Sequence, residues 1–152
     1  MKELAVSFVL VRYLHFISVI ALFALLLFEF YLLKPSLKGR AVKYIANVDL
    51  SYWAVGIVVL VTGILLTVAV GKGMNFYIHN PVYDLKVGLF LGAVAATLYP
   101  TWFLQSRRRI PDDDDDDVQV PRTILYIIRA KLAVLTTLPL FAVMMAQGIG
   151  LG

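Results

Sequence analysis

Four long apolar runs constrain this chain more than any other feature. Each is long enough to cross a hydrocarbon core of about 30 Å, which takes roughly 20 residues of α-helix. An open strand in lipid would leave its backbone groups unpaired, so helices are expected. With 61% hydrophobic residues, the 152-residue sequence predicts one all-α domain, an integral membrane four-helix bundle over residues 1–152. The predicted spans are approximately Leu4–Leu33, Leu50–Val70, Val82–Leu104 and Ile124–Ile149.

The composition also excludes several classes of function. The chain has no cysteine, which excludes disulfides, iron–sulfur ligation, covalent c-type haem attachment and thiol catalysis. The sequence contains no Gly-rich phosphate loop and no dinucleotide fingerprint. The pI of about 9.4 does not indicate a nucleic-acid partner, because the basic residues lie beside the spans. Membrane lipid is therefore the first expected partner.

The basic residues predict the orientation of the spans, because short cytoplasmic loops hold Lys and Arg in excess. Ten of the 14 Lys and Arg residues fall in the first connection, in the third connection or at the start of the fourth span. Both connections are therefore predicted to be cytoplasmic, with both termini outside. The third connection, residues 105–122, includes the run Asp112–Asp117, which we expect to be a solvated, disordered linker.

Ionisable residues inside the spans are the candidate functional groups, since they are costly in lipid and usually face the bundle interior. On the first span, Arg12, His15 and Glu29 fall on one stripe about 100° wide at 100° per residue. Glu29 belongs to the inner leaflet, where we expect a structural charge cluster that fixes helix register. The expected partner of Glu29 is Arg129 or Lys131 of the fourth span, and Asp49 at the head of the second span completes the predicted cluster.

A second group is predicted in the outer leaflet around His15 and Lys86. A neutral imidazole with a free nitrogen is a ligand for haem iron or another transition metal. Two histidines without cysteine do not make a compact metal site without haem. A chain of ionisable residues across the bilayer would instead suit proton transport. Other residues expected here are Arg12 and His79 beside the cofactor, Asp84, Tyr13, Tyr77 and Tyr83 at the rim, and Phe16, Phe23 and Phe90 along an apolar slot.

Small residues in the third span predict close helix packing. Gly88, Gly92 and Ala96 follow the small-xxx-small spacing that lets membrane helices approach each other. The same face could support a homodimer. Pro100 and Pro139 are expected to kink the third and fourth spans.

Three stretches resemble a family of bacterial four-helix membrane proteins of unknown function. They are "RYLHFISVIALFALLLFEFYLLKP", "GKGMNFYIHNPVYDLKVGLF" and "RAKLAVLTTLPLFAVMMAQG". More distantly, the pattern resembles HemJ-type protoporphyrinogen IX oxidases and copper-resistance D membrane proteins. In the HemJ-type oxidases an "LH" on span one and a lysine opening span three are functional, and haem b is bound. The resemblance implies these roles for His15 and Lys86, although further His and Trp-rich stretches of those oxidases are missing here.

The candidate residues and the family resemblance together predict a haem b-binding redox protein of the bacterial inner membrane, with both termini periplasmic. It would oxidise a porphyrinogen-like or quinol substrate, with a hydrophobic molecule or quinone as partner. His15 would be the axial ligand to the haem iron, and Lys86 would hold a propionate or substrate carboxylate, or act as a second ligand. The alternative is a non-enzymatic small membrane transporter or assembly factor whose buried charges are structural.

Overall fold

The computed structural model describes residues 2–69, 77, 79–108 and 117–148, with side chains from Val6 onward. Within these ranges the chain forms four long helices and two short strands. The predicted all-α, four-helix membrane bundle is confirmed, since all four helices are long and apolar enough to span a membrane. The elements are α1 (Lys2–Leu32), β1 (Ser36–Lys38), α2 (Gly39–Val68), α3 (Pro81–Arg107), β2 (Asp117–Gln119) and α4 (Arg122–Ala146).

The second helix is longer than the apolar run that predicts it. It begins at Gly39, directly after β1, rather than near Leu50. Its first turns carry Arg40 and Lys43, which lower the mean hydropathy of this segment. The segment is nevertheless helical because it has an apolar stripe at helical spacing that packs into the bundle. The buried residues of this stripe are Val42, Ile45 and Ala46.

The third helix has clear local signals for its start. The side chain of Asn80 accepts a hydrogen bond from the backbone N–H of Val82 at 2.9 Å, which caps the first turn. Pro81 occupies the first helical position, where its missing N–H is not needed. Pro100 and Pro139 lie inside α3 and α4 without ending either helix.

The four helices pack in a ring, in which α1 contacts α2 and α4, and α3 contacts α2 and α4. The core between them is formed by residues such as Leu22, Leu26, Ile45 and Ile128. The outer surface carries many large exposed apolar side chains, including Trp102 at 66% exposure. A surface of this kind is expected where a helix faces lipid rather than water.

The two strands join the first and third connections at one end of the bundle, which we call the sheet end. They pair antiparallel, with Leu37 opposite Val118 and Lys38 opposite Asp117. The ammonium of Lys38 lies 3.2 Å from the Asp117 carboxylate. At Asp117 the prediction of a disordered linker is therefore wrong, because this residue begins a strand. The rest of the predicted linker run, Asp112–Asp116, lies outside the described residues.

The glycines that lie in a contact between helices are on α2 rather than on α3. A Cβ atom at Gly56 would lie 3.7 Å from Leu22 Cδ1, and one at Gly63 would lie 3.5 Å from His15 Cε1. These are ordinary van der Waals distances, and they place both glycines in the contact between α1 and α2. A Cβ at Gly88 or Gly92 would meet nothing within 4 Å. The prediction that these two α3 glycines bring helices together within the chain is therefore wrong.

Candidate functional site

Three ionisable side chains from three helices meet inside the bundle, in its half toward the sheet end. Glu29 comes from α1, Asp49 from α2 and Lys131 from α4, and their exposed fractions are 0%, 0% and 1%. Lys131 Nζ lies 3.7 Å from Glu29 Oε2. We call Glu29, Asp49 and Lys131 the charge cluster.

Helical periodicity places each member of the charge cluster on the buried face of its helix. Lys131 follows the buried Ile128 by three residues and precedes the buried Leu135 by four, so all three share one stripe of α4. Asp49 lies on the buried face of α2, four residues after the buried Ile45 and three residues before the buried Tyr52. The apolar neighbours on these stripes pack into the core. The charged groups lie on the same stripes, so they are also directed inward.

An aromatic ring and a chain of hydrogen bonds surround the charge cluster. Lys131 Nζ lies 4.2 Å from the centre of the Tyr52 ring, within the range of a cation–π contact. The Thr101 hydroxyl donates to Asp49 Oδ1 at 2.9 Å. The indole N–H of Trp53 donates to the same hydroxyl at 2.8 Å. Trp53 therefore holds Thr101, and Thr101 holds one oxygen of Asp49.

The rest of the charge cluster is not satisfied in this way. Both oxygens of Glu29, Oδ2 of Asp49 and Nζ of Lys131 have no hydrogen-bond partner among the described residues. The 3.7 Å ion pair is longer than a hydrogen bond. Buried polar atoms are paired in nearly all native structures, so four unpaired atoms at one place need an explanation. Two carboxylates and one ammonium also leave one negative charge uncompensated when all three are ionised.

The fourth predicted member of this cluster lies elsewhere. Arg129 is exposed on α4, and its guanidinium lies 5.9 Å from the centre of the Tyr126 ring. Residues two apart on a helix point to different faces, so Arg129 and Lys131 cannot both face Glu29. The structure thus brings together three of the four predicted residues.

In the other half of the bundle, His15 makes a hydrogen bond that fixes its tautomer. Its Nδ1 atom lies 2.9 Å from Thr62 Oγ1. The Thr62 hydroxyl lies 2.6 Å from the Val58 carbonyl oxygen, to which it donates its only hydrogen. Thr62 must then accept from Nδ1–H, which leaves Nε2 of a neutral ring without a proton. Nε2 is the nitrogen that could bind a metal.

Lys86, the other main residue predicted for this group, is half-buried on α3. Tyr83, one turn before it, donates to the Thr67 hydroxyl of α2 at 3.4 Å. The rings of Tyr77 and Tyr83 lie 5.3 Å apart. These residues form one side of the predicted outer group.

Several residues predicted for the rim of the outer group are exposed. Arg12 is exposed, with its guanidinium 5.7 Å from the ring centres of both Phe8 and Phe16. The prediction that Arg12 belongs to the inward stripe is therefore wrong, and the exposed Phe16 does not line an internal slot. The remaining exposed residues are Tyr13 on α1, His79 just before α3 and Asp84 in its first turn.

The fit of haem to these residues is partial. His15 supplies one suitable nitrogen, and no group of three potential ligands drawn from His, Cys, Asp and Glu occurs in the part of the chain that the structure describes. One groove, of about 60 Å³, lies between α2 and α3, and another, of about 230 Å³, lies between α3 and α4. Neither is lined by His15, and both are smaller than the roughly 300–1,000 Å³ of common cofactor pockets. Haem therefore stays a prediction.

Several polar residues of these sites were missed by the sequence analysis, although a signal existed for some of them. Thr97 and Thr101 are four residues apart on α3, so they lie on one face, and Thr97 is buried. Tyr52 follows Asp49 by three residues and shares its face. Hydroxyl-bearing side chains at helical spacing inside an apolar run mark an inward face. The pairing of Thr62 with His15 had no such signal, because the two are 47 positions apart.

Comparison with known proteins gives a family and no closer relative. No curated protein and no solved structure matches this chain. Residues 7–150 match the family described as "Predicted membrane protein (DUF2214)". The match covers the charge cluster, the His15–Thr62 pair and all of α2, α3 and α4. The chain therefore belongs to this family of predicted membrane proteins.

Proposed function

We propose that this protein is a small, non-enzymatic membrane carrier that takes up and releases protons at the charge cluster. One observation carries the proposal: Glu29, Asp49 and Lys131 are almost completely buried, yet four of their polar atoms have no hydrogen-bond partner among the described residues. Ionisable residues inside a membrane bundle commonly mark the path of a proton or ion. The positions of these three therefore support transport.

The charge of the cluster explains why a proton would bind there. With both carboxylates ionised, one negative charge remains unpaired in a medium of low dielectric, at an effective penalty of several kcal/mol. A single proton removes that charge. Glu29 is the acceptor in this scheme, because neither of its oxygens has a hydrogen-bond partner in the part of the chain that the structure describes. Thr101 donates a hydrogen bond to one oxygen of Asp49, and a donor of this kind favours the ionised form of a carboxylate.

The loose ion pair supports release as well as uptake. Lys131 Nζ lies 3.7 Å from Glu29 and also contacts the Tyr52 ring, so no short hydrogen bond holds the ammonium at one carboxylate. When Glu29 is protonated, Lys131 pairs with Asp49. When Glu29 loses its proton, the ammonium lies between the two carboxylates.

The proposed setting is the inner membrane, with the sheet end in the cytoplasm and both termini in the periplasm. Basic residues in short connections favour the cytoplasmic side. The exposed basic side chains at the sheet end are Lys34, Lys38, Arg40, Arg107, Arg108 and Arg122. In this orientation the charge cluster lies in the cytoplasmic half of the bilayer.

The test is proton flux into liposomes that contain the purified protein and an internal pH-sensitive dye. After an external acid step, with the membrane potential clamped by potassium and valinomycin, wild-type liposomes should acidify faster than protein-free ones. Glu29→Gln should abolish the difference. Asp84→Asn removes an exposed carboxylate at the start of α3 and should leave the flux unchanged. Equal flux with Glu29→Gln and wild type, or no flux above protein-free liposomes, would show that the cluster is only structural.

A second candidate function keeps the haem prediction, and the tautomer of His15 favours it. The hydrogen bond to Thr62 leaves Nε2 able to bind iron, a common arrangement for histidine ligands whose other nitrogen donates to an oxygen. Haem b would supply one-electron chemistry, His15 would bind it, and Lys86 would pair with a propionate. Purified wild-type protein should then show a Soret band that His15→Ala removes. A colourless preparation from haem-supplemented cells would reject this candidate.

A further inference from the structure

The outer face of α4 carries two arginines near the sheet end. Arg122 and Arg129 are seven residues apart, almost two full helical turns, so they lie on one face and about 10 Å apart along the axis. Both are exposed, and so is Tyr126 between them. At about 100° per residue, the two arginines point roughly 160–180° away from the buried Lys131. They therefore face the lipid and not the bundle.

The guanidinium of Arg129 is directed toward Arg122. Side chains on a helix tilt toward its N-terminus, which for α4 is the sheet end. Arg129 follows this rule, because its guanidinium lies 5.9 Å from the centre of the Tyr126 ring, one turn nearer the N-terminus. Both cations and the phenol ring thus share the segment of α4 nearest the sheet end.

These arginines have no counter-ion within the described chain. The helix itself contains no Asp or Glu, and neither arginine forms an ion pair with a described residue. The exposed carboxylates among the described side chains are Asp84 and Asp117. Asp84 lies at the start of α3, at the opposite end of the bundle, and Asp117 is paired with Lys38. A cation at the lipid surface is costly without a partner, so the negative charge has to come from outside the chain.

We infer that this face of α4 binds the phosphate of an anionic phospholipid in the leaflet at the sheet end. The planar fork of a guanidinium matches phosphate oxygens in a bidentate way. Beyond the arginines, the same helix presents exposed apolar side chains, among them Ala133, Leu140 and Val143, along which acyl chains can lie. A basic end followed by an apolar surface fits a lipid better than a free phosphate. The inference does not depend on the proposed function.

The charge of the headgroup should decide which phospholipid binds best. Phosphatidylglycerol and phosphatidylcholine carry the same phosphate, but choline adds a quaternary ammonium close to it. Two guanidinium groups repel that cation, and like charges placed side by side are costly. The glycerol headgroup has only hydroxyls in its place. Phosphatidylglycerol is therefore the expected ligand of the two.

The test is native mass spectrometry of the purified protein in detergent micelles, titrated with the two lipids in forms that share the same acyl chains. Wild type should bind phosphatidylglycerol about tenfold more tightly than phosphatidylcholine. The double variant Arg122→Gln with Arg129→Gln should remove this preference. Both positions are exposed, so the fold should be retained, which helical circular dichroism would confirm. Inorganic phosphate should not displace the bound lipid.

A matched variant separates a site on α4 from the general positive charge of the sheet end. Lys34→Gln with Arg107→Gln also removes two exposed cations at the sheet end, on other segments of the chain. It should change the affinity for phosphatidylglycerol by no more than about twofold. Arg122→Lys with Arg129→Lys keeps the charge but loses the planar forks, and should keep only part of the preference.

Each alternative outcome overturns the inference in a different way. Equal affinity of wild type for the two lipids, or a preference that survives in the glutamine variant of α4, would show that the arginines do not select a headgroup. Equal losses in the two glutamine variants would show diffuse attraction to the whole sheet end. Displacement by inorganic phosphate would show a site for free anions, with no part played by the acyl chains.

Discussion

Replacing Lys131 with methionine should destabilise the bundle strongly, and the structure indicates why. Methionine keeps an apolar stem of similar shape, so the packing around Ile128 and Leu135 is largely preserved. The substitution removes the only ammonium of the charge cluster and leaves two buried carboxylates, Glu29 and Asp49, without a cation. Removal of one partner from a buried ion pair generally costs about 3–5 kcal/mol.

A second substitution should restore most of that loss. Lys131→Met combined with Glu29→Gln leaves only Asp49 ionised, which is one uncompensated negative charge, the same excess that the wild-type cluster has when all three of its groups are ionised. We therefore expect the double variant to lie within about 1–2 kcal/mol of wild type, because replacing a whole buried ion pair is often close to neutral. The coupling free energy between the two sites should be at least about 2 kcal/mol.

The assay is reversible unfolding in mixed micelles by a denaturing detergent, followed by helical circular dichroism. Arg129→Met is the matched control, since Arg129 is on the same helix, two residues away, and exposed over Tyr126. It should cost no more than about 1 kcal/mol, the usual size of an exposed cation–π contact. The reasoning is refuted if Lys131→Met costs no more than Arg129→Met, or if adding Glu29→Gln gives no recovery.

Three further predictions concern the surroundings of the cluster, the sheet end and the topology. Thr101→Val should cost about 1–3 kcal/mol in detergent unfolding and shift the Trp53 emission, because Asp49 and Trp53 both lose a buried partner. Lys38→Ala should cost no more than about 1 kcal/mol by the same measurement, since its ion pair joins side chains that are 58% and 53% exposed. A reporter fused after the last residue should be active in the periplasm, and cytoplasmic activity would reverse the proposed orientation.

The helices could be predicted from sequence because lipid allows few alternatives. Four apolar runs of sufficient length specify four spans, and the structure has them. The first third of α2 could not be found this way, since Arg40 and Lys43 lower its hydropathy. Val42, Ile45 and Ala46 are buried in this segment, which follows directly on the paired strands β1 and β2. The pairing of β1 with β2 joins segments that are far apart in the chain, so no local sequence pattern predicts it.

The charge cluster was predictable in part for the same reason. Few ionisable side chains lie inside the spans, so few basic residues were available as partners for Glu29. The choice between Arg129 and Lys131 could also have been made, because only Lys131 shares a stripe with Ile128 and Leu135. Arg12 and His15 are harder to separate, since three residues on a helix differ by only about 60° in direction. In the structure His15 is the one that turns inward, where its ring lies next to Gly63 and bonds to Thr62.

The two carboxylates of the cluster differ in a way that favours transport over a purely structural role. A pair of charges that only fixes helix register gains most when every lone pair and proton is satisfied, because a half-satisfied polar network is worse than an apolar core. Asp49 follows that rule at one oxygen, through Thr101 and Trp53. Glu29 does not follow it at either oxygen, although it is equally buried. Thr101 thus holds Asp49 at one oxygen, whereas Glu29, the carboxylate 3.7 Å from Lys131, is the group that the proposed carrier would protonate and deprotonate.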